Sequence, residues 1–151
     1  MYGETEILLV EDDPRDARLT IRELQTEKPN MLIEVARDGE EALDFLFCRG
    51  VHSNRARGCR PRLILLDLKL PKIDGLQVLQ EIKNNPETRA IPVVALTSSR
   101  EENDRIESYR LGINSYVQKP VNFDEFRKTI RTIGLYWLNI NQHPPENAIY
   151  Q

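Results

Sequence analysis

A chain of 151 residues, 40% hydrophobic and 30% charged, is of single-domain size and can bury one core. Its formal charge of −3 argues against a polyanion binder, which would need an excess of Lys and Arg, so nucleic acid is not an expected partner. The opening "MYGETE" is acidic where a secretory signal is basic, and no apolar run approaches the roughly 20 residues of a membrane helix, so a cytoplasmic protein with no membrane partner is expected.

The first strand is "EILLV" (6–10). Asp13 then caps a helix with Pro14 at its first position, and Ala17, Ile21 and Leu24 recur at helical spacing. A second strand, "LIEVA" (32–36), leads to Asp38 as the cap of a helix carrying Ala42, Leu43, Leu46 and Phe47. The third strand, "LILLD" (63–67), is apolar enough to be buried on both faces and ends in a carboxylate. Leu76, Leu79 and Ile82 mark the helix after it; "PVVAL" (92–96) follows, then a weaker helix from about Glu101 to Leu111 that Gly112 stops. The last strand is "SYVQ" (115–118). Asn122 with Glu125 resembles a capping box, and Phe123, Phe126, Ile130, Ile133, Trp137 and Ile140 repeat by threes and fours. Strands alternating with helices predict an α/β fold, a doubly wound five-stranded parallel sheet with helices on both faces. It occupies residues 1–140, with a tail at 141–151.

In such a sheet, ligands sit beyond the carboxyl ends of the strands. Those ends carry Glu11, Asp12 and Asp13 after the first strand, Asp67 at the third, Thr97 and Ser98 after the fourth, and Lys119-Pro120 after the fifth. Gathered carboxylates repel one another unless a cation sits among them, which implies a hard divalent ion. Mg²⁺ fits best, because it accepts a few carboxylates, a carbonyl and waters as oxygen ligands. Taken singly, Asp13 is a helix cap, Ser98 a loop hydroxyl and Lys119 a surface lysine; the joint pattern at four strand ends points to a site.

Together "LLVEDDP" (8–14), "LILLDLKLPKIDG" (63–75), "VVALTSS" (93–99) and "SYVQKP" (115–120) resemble the receiver domain of two-component response regulators, over about residues 5 to 135. The resemblance implies a flavodoxin-like (CheY-like) fold and a phosphoacceptor rather than an enzyme. By it, Asp67 is the nucleophile that takes a phosphoryl group from a phosphohistidine on a sensor histidine kinase. Mg²⁺ is held by Glu11 mostly through water, by Asp12, by Asp67 and by the backbone carbonyl of Lys69. Lys119 pairs with a phosphoryl oxygen, and a cis bond before Pro120 aims it inward. Thr97 bonds the phosphoryl group and vacates space that Tyr116 then fills. A haloacid-dehalogenase-type phosphohydrolase shares the strand-end Asp, Mg²⁺ and lysine, but it needs a second acid where Lys69 stands. A phosphorylation-independent pseudo-receiver scaffold is disfavoured because every expected site residue is present.

Three features depart from the common receiver pattern: an Arg-rich insertion, "CRGVHSNRARGCRPR" (48–62), a bulky Lys69 two residues past Asp67, and a short tail after an extended last helix. The insertion reads as a solvated loop in preference to an Arg-rich docking patch, with His52 a bystander, and Cys48 and Cys59 as packed or exposed thiols. The insertion, tail and extended helix look like the small regulators that partner phytochrome-type histidine kinases. Finally, Leu135, Tyr136 and Leu138 lie off the buried stripe of that helix, so a homodimer through them is expected in preference to a fold-back of the Pro-rich polar tail 141–151 over them.

Overall fold

The computed structural model describes residues 5–56 and 60–145. Its five strands are β1 Ile7–Val10, β2 Ile33–Ala36, β3 Leu63–Leu66, β4 Val93–Thr97 and β5 Ser115–Gln118. They pair in parallel in the order β2-β1-β3-β4-β5, so the order reverses between β1 and β3. Five helices cover them: α1 Pro14–Leu24, α2 Gly39–Leu46, α3 Gly75–Asn84, α4 Glu102–Arg110 and α5 Phe123–Gly134. The doubly wound α/β sheet expected from the alternation is therefore present.

The side-chain alternation of a strand explains why β1, β3 and β4 are apolar at every position but the last of β4, Thr97. Ile7, Leu9, Leu63, Leu65, Val94 and Leu96 form one core with Leu24, Phe126, Ile130 and Ile133 of α1 and α5. Leu8, Val10, Ile64, Leu66, Val93 and Ala95 form the other with Leu43, Phe45, Val78, Leu79 and Ile82 of α2 and α3. The edge strands β2 and β5 are only partly buried, as their more polar sequences require.

Local chemistry starts and stops the helices where the residues indicate. Asp13 accepts from the N–H groups of Arg15 and Asp16, Asp38 from that of Glu41, and Asn122 from that of Glu125. Gly112, at φ +100°, ends α4 in a conformation that suits glycine. Helix α4 sends only Ser108 into the interior and so is the least firmly seated of the five. Between α1 and α5, the enclosed Glu23 carboxylate receives the guanidinium Nε of Arg127 at 2.7 Å and of Arg131 at 2.6 Å.

Two segments differ from the sequence reading. The insertion does not simply stand in solvent: Arg55 lies 3.6 Å over the ring of Phe45 and donates to its carbonyl, and His52 packs edge-on to the same ring at 5.1 Å. Stacking on an aromatic face suits a planar guanidinium, and it closes the end of α2. Cys48 is half-buried at φ 55°, and Cys59 lies outside the described residues. The last helix also changes pitch, because Leu135–Ile140 is π-helical and the N–H of Asn141 bonds the carbonyl of Tyr136, five residues back. The wider turn swings Trp137 and Leu138 onto the α1/α5 core and leaves Leu135, Tyr136 and Ile140 exposed. Leu138 and Ile140 thus exchange the positions that a regular α-helix would give them. Of the tail, 146–151 with Ile149 and Tyr150 lie outside the described residues. No described helix is long and apolar enough to cross a membrane.

One lysine fastens the α3 end of the fold. Lys83 Nζ donates to the carbonyls of Arg89 and Ile91 and to Asn114 Oδ1, each at 3.0 Å. The other face of Asn114 Oδ1 accepts from Val93 N at 2.8 Å, so α3 and the starts of β4 and β5 share one amide. Lys83→Met keeps the stem and removes all three bonds; it is expected to lower stability by about 1–3 kcal/mol in urea unfolding, with an unchanged m-value.

Candidate functional site

Strand register builds the rim. Ile7 pairs with Leu63 and Val10 with Leu66, so Glu11 and Asp67, the next residues of each strand, come out side by side. Thr97 pairs with Gln118, which brings Lys119 to the same edge from β5. The loop after Asp67 passes so close to α3 that a Cβ on Gly75 would lie 2.4 Å from Leu68 Cα and 2.6 Å from the Asp67 carbonyl. Only glycine allows that approach, and it fixes the backbone that carries Asp67.

Lys119 is the centre of the charges. Its ammonium donates to Glu11 Oε1 at 2.5 Å, Asp16 Oδ2 at 2.9 Å and Asp67 Oδ2 at 3.1 Å. The other oxygen of Asp67 accepts from Lys69 N at 3.1 Å, and Glu11 Oε2 accepts from Asp13 N at 3.2 Å. Glu11, Asp67 and Thr97 are buried, whereas Asp12 is exposed. Burial pushes the Glu11 carboxyl up to about 7, although Lys119 pulls it back. Burial also pulls Lys119 down, but Glu11, Asp67 and Asp16 more than reverse this and hold it above its ordinary value.

The sequence-derived residues Glu11, Asp12, Asp67, Thr97 and Lys119 therefore meet at one rim. Tyr116 lies beside it, half-buried against the α2/α3 core, with its hydroxyl donating to the Ser99 carbonyl at 3.4 Å. Asp13 caps α1, and Ser98 is exposed. Leu135, Tyr136 and Leu138 belong to the far end of the last helix. The Lys119–Pro120 bond is trans rather than cis, no cis peptide occurring among the described residues; β5 and the three carboxylates already direct the lysine inward. Two contributors escaped the sequence reading. Asp16 reaches Lys119 because it follows the cap Asp13 by about one helical turn, a periodicity that could have disclosed it. Asp104, which accepts from the buried Ser99 hydroxyl at 2.5 Å and lies 3.2 Å from Lys69 Nζ, has no such mark in the sequence.

The donor set suits a hard divalent cation. Glu11, Asp12 and Asp67 each offer a carboxylate oxygen, and these oxygens lie within 4.8 Å of one another, close to the roughly 4.2 Å span of opposite ligands around Mg²⁺. The proton that burial keeps on Glu11 near neutrality is a charge that a cation could replace.

A family model for the response regulator receiver domain matches residues 7–131. The chain belongs to that family. Response regulator Rcp1 of Synechocystis sp. is 46% identical to this receiver over 132 residues, covering 87% of this chain and 88% of the relative. The crystal structure of the Mn²⁺-bound form of Rcp1 superposes with a TM-score of 0.86 over 92% of this receiver and 98% of that chain, at 44% identity. The phosphorylated cyanobacterial phytochrome response regulator RcpA gives 0.87 at 39% identity, over 93% and 99% of the two chains. A probable methanogenesis regulatory protein, FilR2 of Methanothrix harundinacea, is 43% identical over 138 residues, 91% of this receiver and 86% of its own length.

The Glu11 carboxyl gives this receiver a pH signature. Its folded-state value lies above the unfolded one, so between about pH 4.5 and 7 the folded state keeps a proton that the unfolded chain releases. Stability should therefore fall as pH rises through that window. Thermal melts in chelator should show the fall, and Glu11→Gln should flatten it.

Proposed function

We propose that this receiver takes a phosphoryl group from a sensor histidine kinase onto Asp67 and passes the signal on through protein contacts. The observation that carries the assignment is the setting of the Asp67 carboxylate, buried at the end of β3 with one oxygen on Lys69 N and the other on Lys119 Nζ. In that setting one carboxylate oxygen attacks the phosphorus, the phosphohistidine nitrogen leaves, and an acyl phosphate results. Lys119, already committed to three carboxylates, turns toward a phosphoryl oxygen as the charge arrives. Glu11 (mostly through water), Asp12, Asp67 and the Lys69 carbonyl would hold Mg²⁺, which when bound offsets charge on the transferring group.

Thr97 and Tyr116 form the switch in this reading. Thr97 Oγ1 accepts from Ser99 N at 3.2 Å, and Tyr116 bonds the Ser99 carbonyl, so a move of Thr97 toward phosphate would disturb both contacts. The kinase is taken to be phytochrome-type, on the likeness to RcpA and the features of the insertion and last helix. The site of action is then the cytoplasm. Exposed Leu135 and Tyr136, now joined by Ile140, with Leu138 half-buried beneath, support a two-fold dimer through the last helix.

Acetyl phosphate with Mg²⁺ should add one phosphoryl group to Asp67, read by mass spectrometry. Asp67→Asn or excess chelator should abolish the adduct, and equal labelling of the variant would sink the assignment. For the dimer, sedimentation equilibrium at micromolar concentration should give twice the chain mass for wild type and a monomer for Tyr136→Glu; an unaltered mass in the variant counts against this interface.

A further inference from the structure

The Lys119 ammonium donates to three carboxylates, and these acceptors are not alike. Glu11 and Asp67 follow β1 and β3, are buried, and belong with Asp12 to the oxygen cluster that suits a divalent cation. Asp16 stands on α1 outside that cluster, with its side chain 30% exposed and one oxygen 2.9 Å from Lys119 Nζ. With Glu11 and Asp67 given to an ion, the lysine keeps one partner of its own. Asp16 and Lys119 also line an open cleft between α1 and α5, whose walls include Arg15, Leu19, Val121 and Phe123. Among the described residues lining that cleft, Asp16 is the one carboxylate, while Arg15 repels an ammonium. Helix α1 holds Asp16 in place: its carbonyl accepts from the buried Thr20 hydroxyl at 2.7 Å, and Glu23 at the other end is gripped by Arg127 and Arg131 of α5.

We propose that Asp16 is a positioning residue that retains Lys119 on the α1 side of the rim, so that the lysine and a divalent ion can share the site instead of competing for Glu11 and Asp67. The inference rests on the reading of Glu11, Asp12 and Asp67 as the metal ligands. Its basis is a count of acceptors. The Lys119 side chain is only 8% exposed, so water cannot readily replace a lost carboxylate. Without the Asp16 charge, Glu11 and Asp67 become the lysine's only anionic partners, and both bonds must weaken before an ion can use the same oxygens. With Asp16 present, the ammonium keeps a charged acceptor that no ion claims. Removing Asp16 therefore weakens ion binding through the lysine, and removing the lysine abolishes the competition. A plain loss of negative charge acts in the opposite sense. Stripped of its ammonium neighbour, Asp16 would be a bare anion, and its removal would then weaken ion binding more, not less.

The test titrates the full chain with Mn²⁺ and reads the free ion by its electron paramagnetic resonance signal. It is run in about 1 M salt, where the Debye length is about 3 Å and an exposed charge acts mainly through what it touches. Asp16→Asn keeps the shape and removes the charge; it should raise the Mn²⁺ Kd about three- to tenfold, equivalent to about 0.6–1.4 kcal/mol at 1.36 kcal/mol per tenfold. Asp13→Asn removes the same charge three residues earlier, keeps a capping side chain and touches no lysine; it should change the Kd by less than about twofold. Lys119→Met should tighten Mn²⁺ binding, and adding Asp16→Asn to it should then change the Kd by less than about twofold, because the partner through which Asp16 acts is gone. An unchanged Kd in Asp16→Asn, an equal rise in Asp13→Asn, or an undiminished effect of Asp16→Asn beside Lys119→Met overturns the proposal. Should Lys119→Met not fold, the comparison of Asp16→Asn with Asp13→Asn decides by itself. Absence of Mn²⁺ binding by the wild-type chain would instead overturn the metal-site reading, and the inference with it.

Discussion

The rim of this sheet depends on one ammonium. Three carboxylates, from β1, α1 and the end of β3, lie within 3.1 Å of Lys119 Nζ, in surroundings where water screens charge poorly and like charges repel strongly. Without that ammonium, the two buried carboxyl groups Glu11 and Asp67 would lie side by side at the mouth of a buried strand pair with nothing to offset their repulsion. The contacts also run far along the chain: Lys119 is 108 residues from Glu11 and 52 from Asp67. The electrostatic knot therefore ties the last strand to the first and third. It also leaves the site easily reorganised, since a divalent ion or a phosphoryl group can take over either partner's charge.

Rigidity under the rim comes from ordinary packing. The three central strands are buried on both faces, so the end of β3 cannot tilt without opening two cores at once. The loop beyond it is pressed against α3 through Gly75 and against α2 through Gly39, where a Cβ would lie 2.3 Å from the Ile73 carbonyl. By contrast α4 is attached through Ser108 and through polar contacts at its first turn. A phosphoryl group on Asp67 would therefore meet an unyielding floor and a yielding side wall. Signals leave a fold most readily along the element with the least buried surface.

Much of this was legible in the residues. The greasy run ending in Asp67, the acids after the first strand and Lys119-Pro120 after the fifth are placed by strand length and parallel pairing alone, because each strand delivers its next residue to the same edge. The caps Asp13, Asp38 and Asn122 act locally and so could be read locally. What escaped depends on contacts between elements. Asp16 needs the helix pitch and the direction of Lys119 together, and Asp104 needs the placement of α4, whose own sequence has almost no apolar stripe. Arg55 and His52 looked like solvated loop residues because nothing in their neighbours reveals that Phe45 leaves a ring face to cover. The exchange of Leu138 with Ile140 follows from a change of helical pitch that a steady repeat of threes and fours does not signal.

That change of pitch bears on how such proteins diversify. A π-helical turn holds one residue more than an α-helical turn closing the same stretch, so Leu135–Ile140 behaves as an α-helix that has absorbed an extra residue. Losing a single codon there would restore the regular pitch and rotate the whole terminal surface relative to α5. Leu138 and Ile140 would then trade places between inside and outside, while the sheet rim at the other end of the helix stayed as it is. Descent by small insertions and deletions can thus rewrite what the end of this helix presents to other molecules without touching the chemistry of Asp67.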